Sequence, residues 1–185
     1  MDLDKFLFQE RAAILKGWFD LVLGTYPAET ANLLRKETNR FANPVGYSLS
    51  HGMEGIFDVL HRGMDREKVM PFLDEIIRIR AIQDYSPAQG LAFVFLLKRI
   101  IREAAARIKA EDAVSPEDLL SLESQIDEVA LLAFNIYVAC RERLSEVRVN
   151  ELKNRTFRLL QRANLLEEIP EWKAGSGAGN TESTT

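Results

Sequence analysis

Three times in this chain a residue that caps helices is followed at once by proline: Asn43-Pro44, Ser86-Pro87 and Ser115-Pro116. Asparagine and serine side chains accept hydrogen bonds from the free amides of a helix's first turn. Proline suits the first helical position because the N–H it lacks would be unpaired there anyway. Each dipeptide therefore predicts a helix start, with Asn43, Ser86 and Ser115 as caps. Pro27 and Pro71 also stand near places where a helical pattern begins. Sustained alternation and Asn-Gly turns, the marks of strands, are absent. The sequence predicts an all-α fold, a bundle of about six helices at roughly 3–24, 28–40, 44–62, 66–84, 87–110 and 116–166.

Two of these helices carry packing information. Leu91 to Leu97 is apolar on every side, which predicts a central helix surrounded by others. Gly46, Gly52 and Gly55 each weaken the third helix by about 1 kcal/mol relative to alanine, so their presence predicts a close approach of another helix.

The last helix is unusual. Ile126, Ala130, Ala133, Tyr137, Cys140, Leu144 and Val147 alternate at four and three residues, the heptad mark of a seam against another helix. Glu151 breaks it. The pattern resumes one residue out of phase as Leu152, Thr156, Leu159, Ala163 and Leu166, so the contact face must rotate or change partner near position 150. A helix of about 50 residues is roughly 75 Å long, more than a small domain covers. Its far half is therefore expected to project and to form a homodimer, with Tyr137, Leu144, Val147, Leu152 and Leu159 on the dimer or partner seam. The resulting division is a bundle over 1–145, a helical extension or coiled coil over 146–168, and a flexible tail over 169–185 rich in Gly, Ser and Thr.

At 185 residues and net charge −4, with almost half of its residues apolar, the chain suits one folded core. From Arg141 to Arg162 there are seven basic and three acidic residues. This is too small an excess, with only Phe157 as an aromatic platform, for a nucleic-acid stripe. A solvated coiled-coil flank explains it. Cys140 is the sole cysteine, so there is no internal disulfide and no Cys-based metal set, which fits a reducing compartment. Met1-Asp2-Leu3-Asp4-Lys5 lacks the basic start of a secretory leader. The apolar run Leu91–Leu97 is far short of the roughly 20 residues that span a membrane. A cytoplasmic location is expected, with neither membrane span nor nucleic acid.

The polar residues that invite explanation are Arg80 and Gln83. Val69, Phe72, Leu73, Ile76 and Ile79 form one apolar arc of the fourth helix, and at about 100° per residue both polar residues fall inside it. A buried guanidinium needs hydrogen-bond partners. Either the pair belongs to a structural network joining helices, or Arg80 holds an anion or carboxylate whose edge Gln83 reads. Asp74 and Arg78, four apart, read as an ordinary surface ion pair.

Catalytic chemistry finds no support. His51 and His61 lie off the apolar stripe of their helix, about 80° from each other, and do not converge on a metal. No phosphate loop or nucleophile elbow is present, and Cys140 reads as a packing residue. No catalytic residue, no metal ligand and no cofactor are assigned, and a non-enzymatic role is expected.

The runs Asn39-Arg40-Phe41-Ala42-Asn43-Pro44-Val45-Gly46-Tyr47, Glu75 to Pro87, and Arg141 to Glu151 with its Glu146-Val147-Arg148-Val149-Asn150-Glu151 resemble the RsbRD N-terminal domain family of bacterial RsbR-type proteins. The resemblance runs from about Trp18 to about Leu160. It implies a globin-like helical sensor without haem, dimeric, that joins through a helical linker to a STAS domain in stress signalling. The chain is expected to stop where that linker would enter the STAS domain. The resemblance thus implies a regulatory domain that binds a small signal or a signalling protein partner. The alternative is a globin-like haem binder using His61 for redox or gas sensing.

Overall fold

The computed structural model describes residues 2–36, 41–83, 85–109 and 113–162. Six helices account for most of them: α1 Leu3–Leu23, α2 Ala28–Lys36, α3 Pro44–His61, α4 Arg66–Ile82, α5 Pro87–Ala105 and α6 Pro116–Arg162. No strand occurs among the described residues. The all-α expectation holds, and the helices start and end close to their expected bounds except α5, which stops at Ala105, five residues short of the expected 110. The stretches expected to close the second helix and the last lie outside the described residues. The chain divides into two compact units, Met1–Leu144 and Ser145–Thr185. The expected tail over 169–185 also lies outside the described residues.

Helix starts follow the capping chemistry. Asn43 Oδ1 accepts from the Gly46 amide at 2.8 Å. Ser86 Oγ accepts from the Gln89 amide at 3.3 Å, while Gln89 Oε1 accepts from the Ser86 amide at 3.0 Å, a reciprocal capping box. Ser115 Oγ accepts from the Asp118 amide at 3.0 Å. Asp65, which caps α4 through the Glu67 and Lys68 amides, is a cap that the proline dipeptides do not reveal. Pro71 lies one turn inside α4, not at its start.

In the first unit, α3 packs along α4, and α1 packs against α5 and α3. Glycine permits both close pairs. A Cβ on Gly52 would meet Ile76 Cγ1 at 2.7 Å, and one on Gly55 would meet the Phe72 ring, so α4 lies tight on α3. A Cβ on Gly17 would meet Ile100 Cδ1 at 2.6 Å, so α1 lies tight on α5. Gly46 has another role: its vacant side holds the Asn43 cap. Trp18 fills the space between α1 and α5, stacking on Phe93 and donating its Nε1–H to the Phe93 carbonyl at 2.6 Å.

The expectation for α5 needs correction. Leu91, Phe93, Val94 and Leu97 are buried, but Phe95 is half exposed. Its neighbours cover α5 on most of its circumference and leave one side open.

Within the first unit, α6 turns Leu122, Ile126, Val129, Ala133, Ile136 and Tyr137 into the core. Ion pairs set its register on α5: Lys98 Nζ to Asp127 Oδ1 at 2.6 Å, and Arg102 Nε to Glu123 Oε1 at 2.5 Å. Residue numbers fall on α6 as they rise on α5, so the two helices run antiparallel. Arg66 of α4 pairs with Glu128.

Candidate functional site

The apolar arc of α4 carries Arg80 into the interior, where the side chain is fully buried. Its terminal nitrogens are spent on neighbouring elements. Nη2 donates to the Gln89 carbonyl at 3.0 Å and to Thr25 Oγ1 at 3.2 Å, and Nη1 donates to Tyr26 Oη at 3.4 Å. Nε is buried with no hydrogen-bond partner among the described residues. Three rings surround the cation, with centroids at 4.9 Å for Tyr85, 5.4 Å for Tyr26 and 6.0 Å for Phe93. Tyr26 and Tyr85 meet edge to face at 5.8 Å. A guanidinium enclosed by ring faces gains cation–π attraction that offsets part of its lost hydration.

The network reaches further. Tyr137 of α6 donates its hydroxyl to the Tyr85 carbonyl, and Arg141 Nη1 donates to the Ala81 carbonyl at 3.2 Å. Arg80 and its neighbours thereby connect the α1–α2 turn, the end of α4, the start of α5 and the middle of α6. Burial raises the Tyr26 hydroxyl above the ordinary tyrosine range, against the opposing pull of the Arg80 charge, so it stays neutral and holds a proton to donate. This arrangement ties the α1–α2 turn, α4, α5 and α6 to one another.

Gln83 does not join it. The sequence places Gln83 beside Arg80 on the apolar arc, but α4 ends at Ile82, and Gln83 is its C-terminal cap, exposed to solvent. Helical periodicity stops predicting direction once the helix stops. The glutamine that Arg80 meets is instead Gln89, through its backbone carbonyl. The spacing of the capping box from Ser86 to Gln89 was the available signal for where that carbonyl stands. Thr25, Tyr26 and Tyr85 lie in or next to turns, where no periodicity marks a residue as facing inward.

The seam expected on α6 also divides differently. Tyr137 is buried in the core, its ring against Gly90, and so takes no part in a surface seam. Leu144 is half-buried, and Val147, Leu152 and Leu159 are exposed. The first stretch of heptad spacing reflects packing within the chain, which has the same periodicity as packing between chains.

The remaining candidates stay apart. His51 Nδ1 lies 3.2 Å from Glu75 Oε2, and the ring stacks on Tyr47. His61 is the last residue of α3, half-buried. Among the described residues no group of histidine, cysteine and carboxylate side chains converges as a metal site. Burial raises the Cys140 thiol above its usual range, which lowers its thiolate content. Asp74 and Arg78 pair at 2.6 Å on the surface. A large open cleft of about 1230 Å³ lies at the α3–α4 turn, lined by Asp58, Arg62, Asp65, Arg66, Lys68 and Glu128 among others. It interleaves both signs of charge and does not touch the Arg80 network.

With this geometry in view, the family model of the RsbT co-antagonist protein rsbRD N-terminal domain matches residues 12–152. The chain belongs to this family. The match spans the helices that build the Arg80 network, from α1 to the middle of α6, so the network lies within the matched residues. No curated protein and no solved structure matches the chain. Membership makes the chain a stress-signalling regulatory domain. No described helix is long and apolar enough to cross a membrane.

Proposed function

We propose that this RsbRD N-terminal domain acts without chemistry of its own, as a cytoplasmic regulatory module that pairs with a second copy and presents α6 to a signalling protein partner. The observation that carries the reading is the exposed C-terminal half of α6. Leu152 and Leu159 stand one heptad apart with Thr156 between them, all on the surface of the second unit. Large apolar side chains at that spacing serve a helix-to-helix seam. The Arg80 network supports the same reading from the interior, because both terminal nitrogens of the guanidinium donate to neighbouring elements of the fold.

The test is one size-exclusion run of the full chain with light scattering and absorbance detection. A colourless species of twice the chain mass is expected. Ending the chain at Ser145 is expected to weaken self-association and leave the helical signal of the bundle intact. A monomer at all concentrations overturns the pairing, and a haem absorption band in protein purified from cells overturns the cofactor-free reading in favour of a haem sensor.

A further inference from the structure

The second unit carries its basic charge on one side of α6. From Arg148 to Arg162 there are five basic residues and one acidic, and every residue of this stretch is exposed. At about 100° per residue, Arg148, Arg155, Arg158 and Arg162 fall within an arc of about 80°. Leu152 and Leu159 border that arc, and Glu151 is the one carboxylate inside it. Lys153, the remaining cation, lies about 160° round from Arg155. Among the described residues no ion pair engages Arg155, Arg158 or Arg162.

We infer that this arginine face docks an acidic amphipathic helix of a different protein, whose carboxylates meet the guanidinium forks while its apolar side chains cover Leu152 and Leu159. The inference rests on the partner docking proposed above and names the chemistry of that partner. Three observations select it.

The first is register. Leu152 and Leu159 stand seven apart, as do Arg148, Arg155 and Arg162, so these arginines flank the leucine seam on one side. Flanking residues choose the partner of a seam, because they meet the flanking residues of the facing helix. The opposite flank holds Lys153 and Leu160. A second copy running parallel therefore sets lysine or leucine against the arginines, and one running antiparallel sets arginine against arginine. Neither supplies a carboxylate. Pairing with a second copy leaves the arginines unmatched, and a helix with glutamate or aspartate on its flanks matches them.

The second is the residue type. All four cations of the arc are arginine, whose planar fork meets a carboxylate through two parallel hydrogen bonds and is less strongly hydrated than an ammonium. Such a row suits carboxylates held in place by a folded helix.

The third is the neighbouring surface. A nucleic acid calls for aromatic platforms beside the cations. The arginines border leucines instead, and Phe157 lies about 160° round from Arg155. Cations beside an apolar row match a helix that carries carboxylates beside an apolar row of its own.

The experiment measures binding of the full chain to two dye-labelled peptides of about four heptads, both with leucine on the seam, one with glutamate and the other with lysine on the flanks. Fluorescence anisotropy at about 0.15 M salt reads the affinity. The chain is expected to bind the glutamate peptide and not the lysine peptide. Arg155→Gln/Arg158→Gln/Arg162→Gln is expected to weaken that binding roughly 10-fold or more. Its helical signal in circular dichroism is expected to persist, because glutamine favours helices about as well as arginine. Should that signal fall, Arg155→Gln alone takes its place, with a smaller loss of binding expected. Lys153→Gln, off the arc, is expected to change nothing.

Equal binding of the two peptides, or no binding of the glutamate peptide, overturns the inference. An equal loss in Lys153→Gln and Arg155→Gln also overturns it, because net charge and not the arginine face would then hold the peptide. Duplex DNA that binds more tightly than the glutamate peptide, and is lost with the three arginines, overturns it in favour of a nucleic-acid partner. Binding that survives the arginine variants but fails in Leu152→Ala/Leu159→Ala overturns it and leaves partner docking on α6 standing. A chain that is monomeric by light scattering yet binds the glutamate peptide through these arginines overturns the pairing proposed above and supports this inference.

Discussion

Gly90 and Tyr137 touch where α5 meets α6: a Cβ on residue 90 would stand 2.6 Å from Tyr137 Cε2. The ring lies where any other residue would place its first carbon, and from there its hydroxyl reaches the Tyr85 carbonyl. Gly90→Ala sets two effects against each other. Alanine favours the helix by about 1 kcal/mol, whereas overpacking a filled core costs about 1–3 kcal/mol. The contact distance decides for the second, so Gly90→Ala is expected to lower the melting temperature. An unchanged or higher value in calorimetry would show that Tyr137 moves aside freely.

Arg80→Ala is expected to destabilise the fold by more than about 2 kcal/mol, since it leaves the Gln89 carbonyl and the Thr25 and Tyr26 hydroxyls without their donor and opens a void among three rings. Arg80→Lys keeps the charge but loses the fork that reaches several acceptors at once, and is expected to fall between the two. Urea denaturation checks both. Equal stability of Arg80→Ala and wild type would remove the structural role of the network.

Ser86→Ala removes one half of the capping box at the start of α5, with an expected loss of about 1 kcal/mol. The same cap positions the Gln89 carbonyl for Arg80. The effects of Ser86→Ala and Arg80→Ala are therefore expected to combine non-additively in a double-mutant cycle. Strict additivity would show that the cap and the arginine act independently.

Arg102 beside Glu123 holds the glutamate carboxyl below the ordinary carboxylate range. A folded-state value below the unfolded one contributes stability that is complete above the unfolded value of about 4.3 and is lost as pH falls through the folded value. Glu123→Gln is thus expected to melt below wild type at neutral pH, with the gap closing under acid. A gap that persists unchanged at pH 3 would assign the effect of Glu123 to packing and not to its charge.

Much of the fold is legible in the sequence because its determinants are local. A cap and a proline act within one helical turn, so Asn43-Pro44, Ser86-Pro87 and Ser115-Pro116 mark helix starts without reference to the rest of the chain. Gly52 and Gly55 announce a close approach, because a helix carrying two costly glycines needs a compensating contact. Arg80 stands out as a charge inside an apolar arc.

The candidate site is less legible. Gln83 and Gln89 are both plausible partners of Arg80 by composition. Only the end of α4 at Ile82 turns the first outward, and only the fold of α5 back onto α4 brings the carbonyl of the second to the guanidinium. Thr25, Tyr26 and Tyr85 come from turns, whose direction depends on long-range packing.

The sequence by itself determined that this protein is all-α, where its helices begin, and that its last helix bears two heptad phases. Such features are periodic or local, and each residue carries them wherever the helix goes. Tertiary structure alone decided which phase faces inward. An apolar stripe has the same spacing whether it meets another helix of its own chain or a helix of a second one. Placing α5 against Tyr137 buried the first stripe and left Leu131, Phe134 and Val138 outside.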